Sequence, residues 1–135
     1  MLVIGLGGQK SIEPLERFAW KNRIVLVFHS GAKADAAVEQ IALFKRQEKE
    51  LDDRDLVLGV VDSGSKGLID GTLISAEDAA TLQQTFNPAN SDFLIVLIGK
   101  DGGVKLKEQT VVPVETIFDL VDAMPMRRAE MRRNQ

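Results

Sequence analysis

Two apolar runs in the first half of the chain predict buried strands. After a charged first residue, residues 23–28 and residues 55–61 are continuously apolar and rich in β-branched side chains. Such runs are typical of strands covered on both faces in a parallel sheet. Between them, residues 35–50 show helical periodicity, with an apolar stripe of Val38, Ile41, Ala42 and Phe44. The first half is therefore predicted to be a βαβ unit with a right-handed crossover.

The second half predicts a loop, a helix and a strand hairpin. Residues 62–74 contain several glycines and predict a loop, whereas residues 75–86 predict a helix that Ser75 caps and Asn87-Pro88 ends. The buried face of this helix is predicted to be Ala79, Leu82 and Phe86. Residues 93–98 and 104–107, joined by a glycine-rich turn, predict an antiparallel hairpin. Its second strand alternates apolar residues with lysines, as an edge strand does.

Two further segments flank these elements. Residues 11–18 predict a short helical turn with Ser11 as its cap. A final helix is predicted to begin near Pro113 and to bury Val114, Ile117, Phe118 and Val121. Pro125 is expected to end that helix and to leave residues 126–133 as a basic amphipathic tail.

The predicted element order, β-α-β-α-β-β-α, is the arrangement of the thioredoxin fold. The sequence therefore predicts an α/β class with one three-layer domain over residues 17–135 and a mixed four-stranded sheet. Residues 1–16 are predicted to be an N-terminal arm or the remnant of a leader. The fold alone does not determine the function.

Composition narrows the possible chemistry. With 135 residues, of which 44% are hydrophobic, the chain suits a single domain that can bury a core. It has no cysteine, which excludes disulfides, thiol redox chemistry and Cys-ligated metals, and its one histidine, His29, excludes a His-rich metal site. The formal net charge is −3, so nucleic acid is not an expected partner. Lys10 stands where a dinucleotide fingerprint needs its third glycine, and no cofactor is expected.

The sequence contains no candidate membrane span. No run approaches the roughly 18 apolar residues of a membrane helix. The apolar N-terminus is too short for a signal-peptide core and has no basic residue before it. If Met1 is the true start, the expected location is the cytoplasm.

Three segments carry a resemblance to a known family: residues 18–28, residues 93–105 and the string Asp-Ala-Met-Pro-Met-Arg-Arg-Ala-Glu-Met-Arg at 122–132. On these segments the chain resembles the bacterial Domain of Unknown Function 4174 family from about Arg17 onward. That family is similar to modules in extracellular sushi-repeat-containing animal proteins and is grouped with thioredoxin-like and peroxiredoxin-like folds. The resemblance implies the fold and leaves the activity open. Since many relatives begin with secretion signals, it also implies a periplasmic or secreted location.

The loop after the first strand is one candidate site. In a thioredoxin arrangement it lies where the paired cysteines would be, but here it reads Ser30-Gly-Ala-Lys33. Ser30 would need a base such as His29 to act as a nucleophile. Neighbouring side chains on a strand point to opposite sides, which disfavours that pair. Lys33 together with the free N–H groups of the next helix is a candidate anion site.

The opposite end of the predicted sheet is the second candidate site. Because the third strand and the last helix run back towards the start of the first strand, the topology is expected to bring together Trp20, Lys21, Arg23, Lys100, Asp101, Arg127, Arg128 and Arg132. In one interpretation these cations pair with Asp101, Asp122 or Glu130, cap the last helix and stack on Trp20. In the other they form a binding patch for a protein or a small anionic ligand.

Three hypotheses for the function follow. The first is a non-catalytic binding or interaction module, and the second is an enzyme without cysteine that uses His29, Ser30 and Lys33. The third is a structural scaffold whose distinctive segments only hold the fold together.

Overall fold

The computed structural model describes residues 13–134, and within them six strands form one mixed sheet. The strand order is β4-β3-β2-β1-β5-β6. β1 and β2 are parallel, and every other neighbouring pair is antiparallel. The strands are β1 (Arg23–His29), β2 (Leu56–Asp62), β3 (Gly67–Ile69), β4 (Thr72–Ile74), β5 (Phe93–Ile98) and β6 (Val104–Glu108).

Helices cover both faces of this sheet. The α-helices are α1 (Ala34–Lys45), α2 (Glu48–Asp53), α3 (Ala76–Phe86), α4 (Val114–Asp122) and α5 (Pro125–Arg133). Two 3-10 helices, Glu13–Phe18 and Gly31–Lys33, lie before β1 and before α1. The first of these is called the N-terminal 3-10 helix below. No helix within residues 13–134 is long and apolar enough to cross a membrane.

The side chains of β1 alternate between two hydrophobic cores, as the period of a strand requires. Val25 and Val27 belong to the core that includes residues of α1 and α4. Leu26 and Phe28 belong to the core formed with α3 and the N-terminal 3-10 helix. β1 is therefore buried on both faces, in agreement with its uninterrupted apolar sequence.

The clearest sequence patterns are confirmed. β1, β2, β5 and β6 lie within one or two residues of their predicted positions, and the β5–β6 hairpin is antiparallel. The Ser75 hydroxyl accepts the N–H of Asp78 over 3.0 Å and so caps α3 as predicted. The predicted apolar residues of α3 and α4 are all buried.

Four details of the prediction are wrong. Within residues 13–134 the sheet has six strands instead of four, because the predicted loop 62–74 contains the β3–β4 hairpin. The helix predicted over residues 35–50 ends at Lys45, and α2 follows. Val38 is 69% exposed because the buried face of α1 is formed by Ala37, Gln40 and Phe44. Residues 126–133, predicted to be a tail, lie in helix α5, which Pro125 begins, because proline fits the first turn of a helix, where its missing N–H has no partner to lose.

The N-terminal boundary of the domain stays a prediction. The predicted cap Ser11 and most of the predicted arm lie outside the described residues. From Glu13 onward the chain forms the N-terminal 3-10 helix, whose Leu15 and Phe18 are buried against the sheet core.

Candidate functional site

A buried ion network lies at the end of the sheet where β1 begins. Lys100, in the β5–β6 turn, is 8% exposed, and its Nζ is 2.8 Å from Asp55 Oδ2 and 2.7 Å from Glu130 Oε2. Asp55 directly precedes β2, and Glu130 lies on α5. One lysine therefore joins the hairpin turn, the start of β2 and the last helix.

Arg23, the first residue of β1, shares the same carboxylate. It is 1% exposed, and its Nη1 and Nη2 lie 3.2 Å from Glu130 Oε1 and Oε2. Its Nη1 also donates to the backbone oxygen of Arg54 at 2.9 Å. Desolvation raises the pKa of Glu130, but the hydrogen bonds from Arg23 and Lys100 outweigh it, and the net pKa lies below the ordinary value. Glu130 is thus held as a carboxylate between two buried cations.

A second set of ion pairs continues from the first. Arg127 Nε donates to Asp122 Oδ1 at 3.0 Å, and its Nη2 donates to Asp53 Oδ2 at 2.6 Å. Arg54 donates to both oxygens of Asp122, at 3.0 and 2.9 Å, and its guanidinium lies 4.4 Å from the ring centre of Phe118. Desolvation raises the pKa of Asp122, but the guanidinium groups of Arg54 and Arg127 lower it by more, so the net pKa lies below the ordinary value.

Contacts in the structure connect three of the predicted residues, Trp20, Arg23 and Lys100, and the others have different surroundings. Arg23 and Lys100 share Glu130, and the backbone N–H of Trp20 donates to the backbone oxygen of Lys100 at 2.8 Å. Arg127 is buried in the adjoining set of ion pairs. The Asp101 carboxylate accepts the N–H of Gly103 at 2.9 Å and Lys105 Nζ at 3.1 Å, and these contacts lower its pKa against a smaller opposing effect of burial.

The remaining predicted members are on the surface. Trp20, Lys21, Arg128 and Arg132 are exposed. Within the part of the chain that the structure describes, no ion pair involves Lys21, Arg128 or Arg132. The cation–ring contacts in that part involve Phe18 and Phe118, so the expected stacking of arginine on Trp20 is not formed there.

Trp20 has an unusual backbone conformation. It is 64% exposed and has a φ of +64°, in the left-handed region that bulky residues rarely adopt. The turn around it is fixed by the hydrogen bond to Lys100 and by the N–H groups of Lys21 and Asn22, which both donate to the Phe18 oxygen. Such strain persists only where the surrounding structure imposes it.

A groove lies beside the Trp20 turn. It has a volume of about 250 Å³ and lies between the N-terminal 3-10 helix, the end of α3 and the β5–β6 hairpin. Its apolar lining includes Leu15, Phe18, Ile24, Phe86, Ile98 and Val104. Asn22, Thr85 and Lys107 add polar groups.

The loop after β1 does not contain a serine–histidine pair. The Ser30 hydroxyl donates to Asp92 Oδ1 at 2.9 Å, and the Ser30 N–H donates to the Asp92 oxygen at 2.9 Å. His29 Nδ1 is instead 3.1 Å from the backbone oxygen of Ser30. Lys33 is exposed at the end of the short 3-10 helix before α1. Among residues 13–134 there is no group of three or more acidic or histidine side chains placed to hold a metal ion.

Several residues of these sites could not be singled out from the sequence. Arg54, Asp53 and Asp55 belong to a charged run that looks like an ordinary solvated connection between a helix and a strand. Asp92 carried a weak signal, because it directly precedes a buried strand. The groove residues carried no signal in the sequence, because the apolar ones lie on five separate elements and resemble ordinary core positions.

The fold and these sites define a cysteine-free α/β domain of the thioredoxin-like class. The chain belongs to the family described as Domain of unknown function (DUF4174), whose model matches residues 14–130. It is similar in structure to thioredoxin peroxidase I from Plasmodium yoelii, with a TM-score of 0.56 and 19% sequence identity, over 85% of this chain and 79% of that one. At this identity the similarity establishes the fold alone, and it confirms the predicted thioredoxin-like class. No curated protein matches the sequence.

Proposed function

We propose that this domain is a non-catalytic binding module with its contact surface at the end where β1 begins. The observation that carries the proposal is Trp20, which is 64% exposed and has a strained left-handed backbone. Tryptophan is enriched among the residues that dominate binding energy at interfaces. Backbone strain that the surrounding structure imposes is concentrated at functional sites. An exposed tryptophan in a strained turn is therefore a suitable anchor for a partner.

The charges around Trp20 support this surface. The buried cations Arg23, Lys100 and Arg127 are neutralised inside the domain, and their ion pairs link α5 to β1, to the β5–β6 turn and to the end of α2. The exposed cations Lys21, Arg128 and Arg132 are left to contact a partner or an anionic group. A rigid base with exposed donors lowers the entropic cost of binding.

The geometry at the other end of β1 disfavours the enzyme hypothesis. The Ser30 hydroxyl donates a hydrogen bond to Asp92, and His29 contacts the Ser30 backbone oxygen instead, so His29 is not placed to act as a base on that hydroxyl. A structural scaffold is the second candidate, because four of the eight residues predicted to bind form internal ion pairs: Arg23, Lys100, Asp101 and Arg127. The two candidates differ in what they require of Trp20.

Trp20 itself can report binding, because the chain has one tryptophan and no tyrosine. The probe is a library of blocked decapeptides with fixed acidic, basic or apolar positions, titrated while Trp20 emission is recorded. At least one pool is expected to shift the emission to shorter wavelength. By calorimetry, Trp20→Ala should weaken the selected peptide at least tenfold, whereas Leu73→Ala, which alters another exposed apolar side chain on β4, should not.

Two outcomes would overturn the binding role. One is Trp20 emission that no pool changes. The other is a selected peptide whose affinity survives Trp20→Ala. The scaffold candidate then predicts that substitutions in the buried ion network lower stability and change no binding property.

We also propose that the domain works in the bacterial envelope, on the basis of the resemblance to relatives with secretion signals. The test is a fusion of the natural gene, from its own start codon, to a phosphatase that is active only outside the cytoplasm. Phosphatase activity supports the proposal, and an inactive, stable fusion contradicts it.

A further inference from the structure

The groove beside Trp20 adjoins an open edge of the sheet. Within residues 13–134, β6 is the last strand after β5, so its outward N–H and C=O groups have no strand partner there. Val104 and Lys107 of β6 both line the groove. Val104 pairs with Ile98 of β5, and Lys107 pairs with Val96. These two partners are two positions apart, because the register of β5 and β6 shifts between Leu97 and Ile98. A strand added to β6 would have its side chains opposite Val104 and Lys107 also two positions apart, and both on the groove side.

The size of the groove suits one side chain. Its volume of about 250 Å³ is below the roughly 300–1,000 Å³ of pockets for drug-sized ligands. Its floor is apolar where Ile24, Ile98 and Val104 meet. An aliphatic or aromatic side chain entering from a neighbouring strand would bury its surface there.

The charge of the groove favours an acidic partner. Its ionisable lining residues are Lys100 and Lys107. Lys100 is neutralised by Asp55 and Glu130, whereas no ion pair involves Lys107 within the described part of the chain. Glu108 pairs with Ile95, whose side chain belongs to the opposite core, so its carboxylate lies over the other face. Glu13 and Glu16 line a different depression, next to β4.

We propose that the groove and β6 together bind an extended acidic peptide, which adds to β6 as a seventh strand. One apolar side chain of the peptide enters the groove, and an acidic side chain two positions away pairs with Lys107. Strand addition supplies backbone hydrogen bonds, and the side chains on alternate positions supply specificity. The inference rests on the proposed binding function and names the class of partner.

The charge of Lys107 favours an acidic peptide over the chain's own N-terminal segment as the occupant of the groove. Residues 1–12 are mostly apolar, and their one charged side chain, Lys10, has the same sign as Lys107. That segment could fill the groove but could not pair with its lysine. A peptide with one apolar and one acidic side chain fits both the apolar groove and Lys107.

The probe is the blocked heptapeptide Thr-Glu-Thr-Leu-Thr-Glu-Thr, in which an acid stands two positions from leucine in either strand direction. Three matched peptides serve as controls: one with lysine for each glutamate, one with serine for leucine, and one N-methylated at alternate backbone nitrogens. Binding to the full chain is measured by calorimetry and by Trp20 emission. The acidic peptide is expected to bind at least tenfold tighter than each control.

Variants of the full chain test the same contacts from the protein side. Lys107→Glu should reverse the preference between the glutamate and lysine peptides, whereas Lys66→Glu, in the β2–β3 turn, should not. Ala19→Phe, which places a larger side chain at the groove wall, should weaken the acidic peptide at least tenfold. The melting temperature of each variant is recorded to show that it is folded.

The outcomes separate this inference from the proposed function. If Trp20→Ala weakens the peptide but Lys107→Glu and Ala19→Phe do not, the Trp20 surface stands and the groove assignment is wrong. If the groove variants weaken it and Trp20→Ala does not, the groove stands and the Trp20 anchor is wrong. No binding by the acidic peptide, or equal binding by the N-methylated peptide, overturns strand addition.

Two further results would assign a different occupant and also overturn the inference. Peptide binding that appears only with Ile4→Asp would identify the chain's own N-terminal segment as the occupant. A concentration-dependent dimer that the peptide dissociates would identify a second copy of the chain.

Discussion

The backbone N–H of Trp20 donates to the backbone oxygen of Lys100 over 2.8 Å, while the side chain of Lys100 joins Asp55 and Glu130. One residue therefore connects the exposed, strained turn to the buried ion network. Its backbone holds the turn, and its ammonium group holds α5. This connection explains how a bulky residue stays in a left-handed conformation on the surface.

Lys100 is expected to contribute strongly to stability. Lys100→Met leaves Glu130 with one cation fewer in a buried site, and losing one partner of a buried pair typically costs about 3–5 kcal/mol. Since Asp55 is half exposed, the lower part of that range is expected. The free energy of unfolding is measured by urea denaturation. Lys105→Met removes an exposed ion pair with Asp101 and should cost about 1 kcal/mol or less. Equal losses in the two variants would contradict the role given to Lys100.

Stability should fall in acid because of Glu130 and Asp122. Both have pKa values below their ordinary range in the folded state. Their contribution is therefore complete above the unfolded-state values, near pH 4, and is lost as the pH falls through the lower folded-state values. Urea denaturation between pH 7 and pH 2 measures this loss.

A substitution identifies Glu130 as a source of this pH dependence. Glu130→Gln should lower stability at pH 7, because it leaves Arg23 and Lys100 without their shared carboxylate, and it should flatten the acid slope. Glu39→Gln, on the exposed side of α1, should leave the slope nearly unchanged. An unchanged slope in Glu130→Gln would refute the assignment.

Arg127 and Arg128 should behave differently although they are neighbours. Arg127 is buried and bonded to Asp53 and Asp122, so Arg127→Ala is expected to cost about 3 kcal/mol of unfolding free energy. Arg128 is exposed, and Arg128→Ala should stay within about 0.5 kcal/mol of the parent. If a partner is known, Arg128→Ala should weaken its binding without lowering the melting temperature. A large stability loss on removing Arg128 would show that it is structural as well.

The left-handed conformation of Trp20 can be tested with two substitutions. Glycine adopts a φ of +64° without the steric penalty that alanine keeps. Trp20→Gly is therefore expected to be about 1 kcal/mol more stable than Trp20→Ala, although glycine is usually the less stable of the two. Urea denaturation of both variants measures the difference. The opposite order would mean that the turn is not left-handed at this position.

Elements with a strong hydrophobic pattern or a local cap could be predicted from the sequence. Residues 24–28 and 93–98 were predicted to be buried strands, because a short apolar run rich in β-branched residues is typical of a strand covered on both faces. Ser75 capped its helix as expected, because the contact to Asp78 is local. The absence of cysteine excluded thiol chemistry without any structure. In each case the deciding interaction lies within one element or in the composition.

The roles of the charged residues depend on contacts between distant parts of the chain. Arg127 and Arg128 are adjacent residues of the same type, but Arg127 is buried against Asp53 and Arg128 faces solvent. The bond from Arg23 to Glu130 spans 107 positions, so no local pattern could reveal it. The β3–β4 hairpin was missed because three-residue strands carry little periodicity, and these two depend on pairing, β3 with β2 and β4 with β3. Hydrophobic periodicity is a local property, whereas ion pairs and grooves are formed by distant segments that meet only in the folded chain.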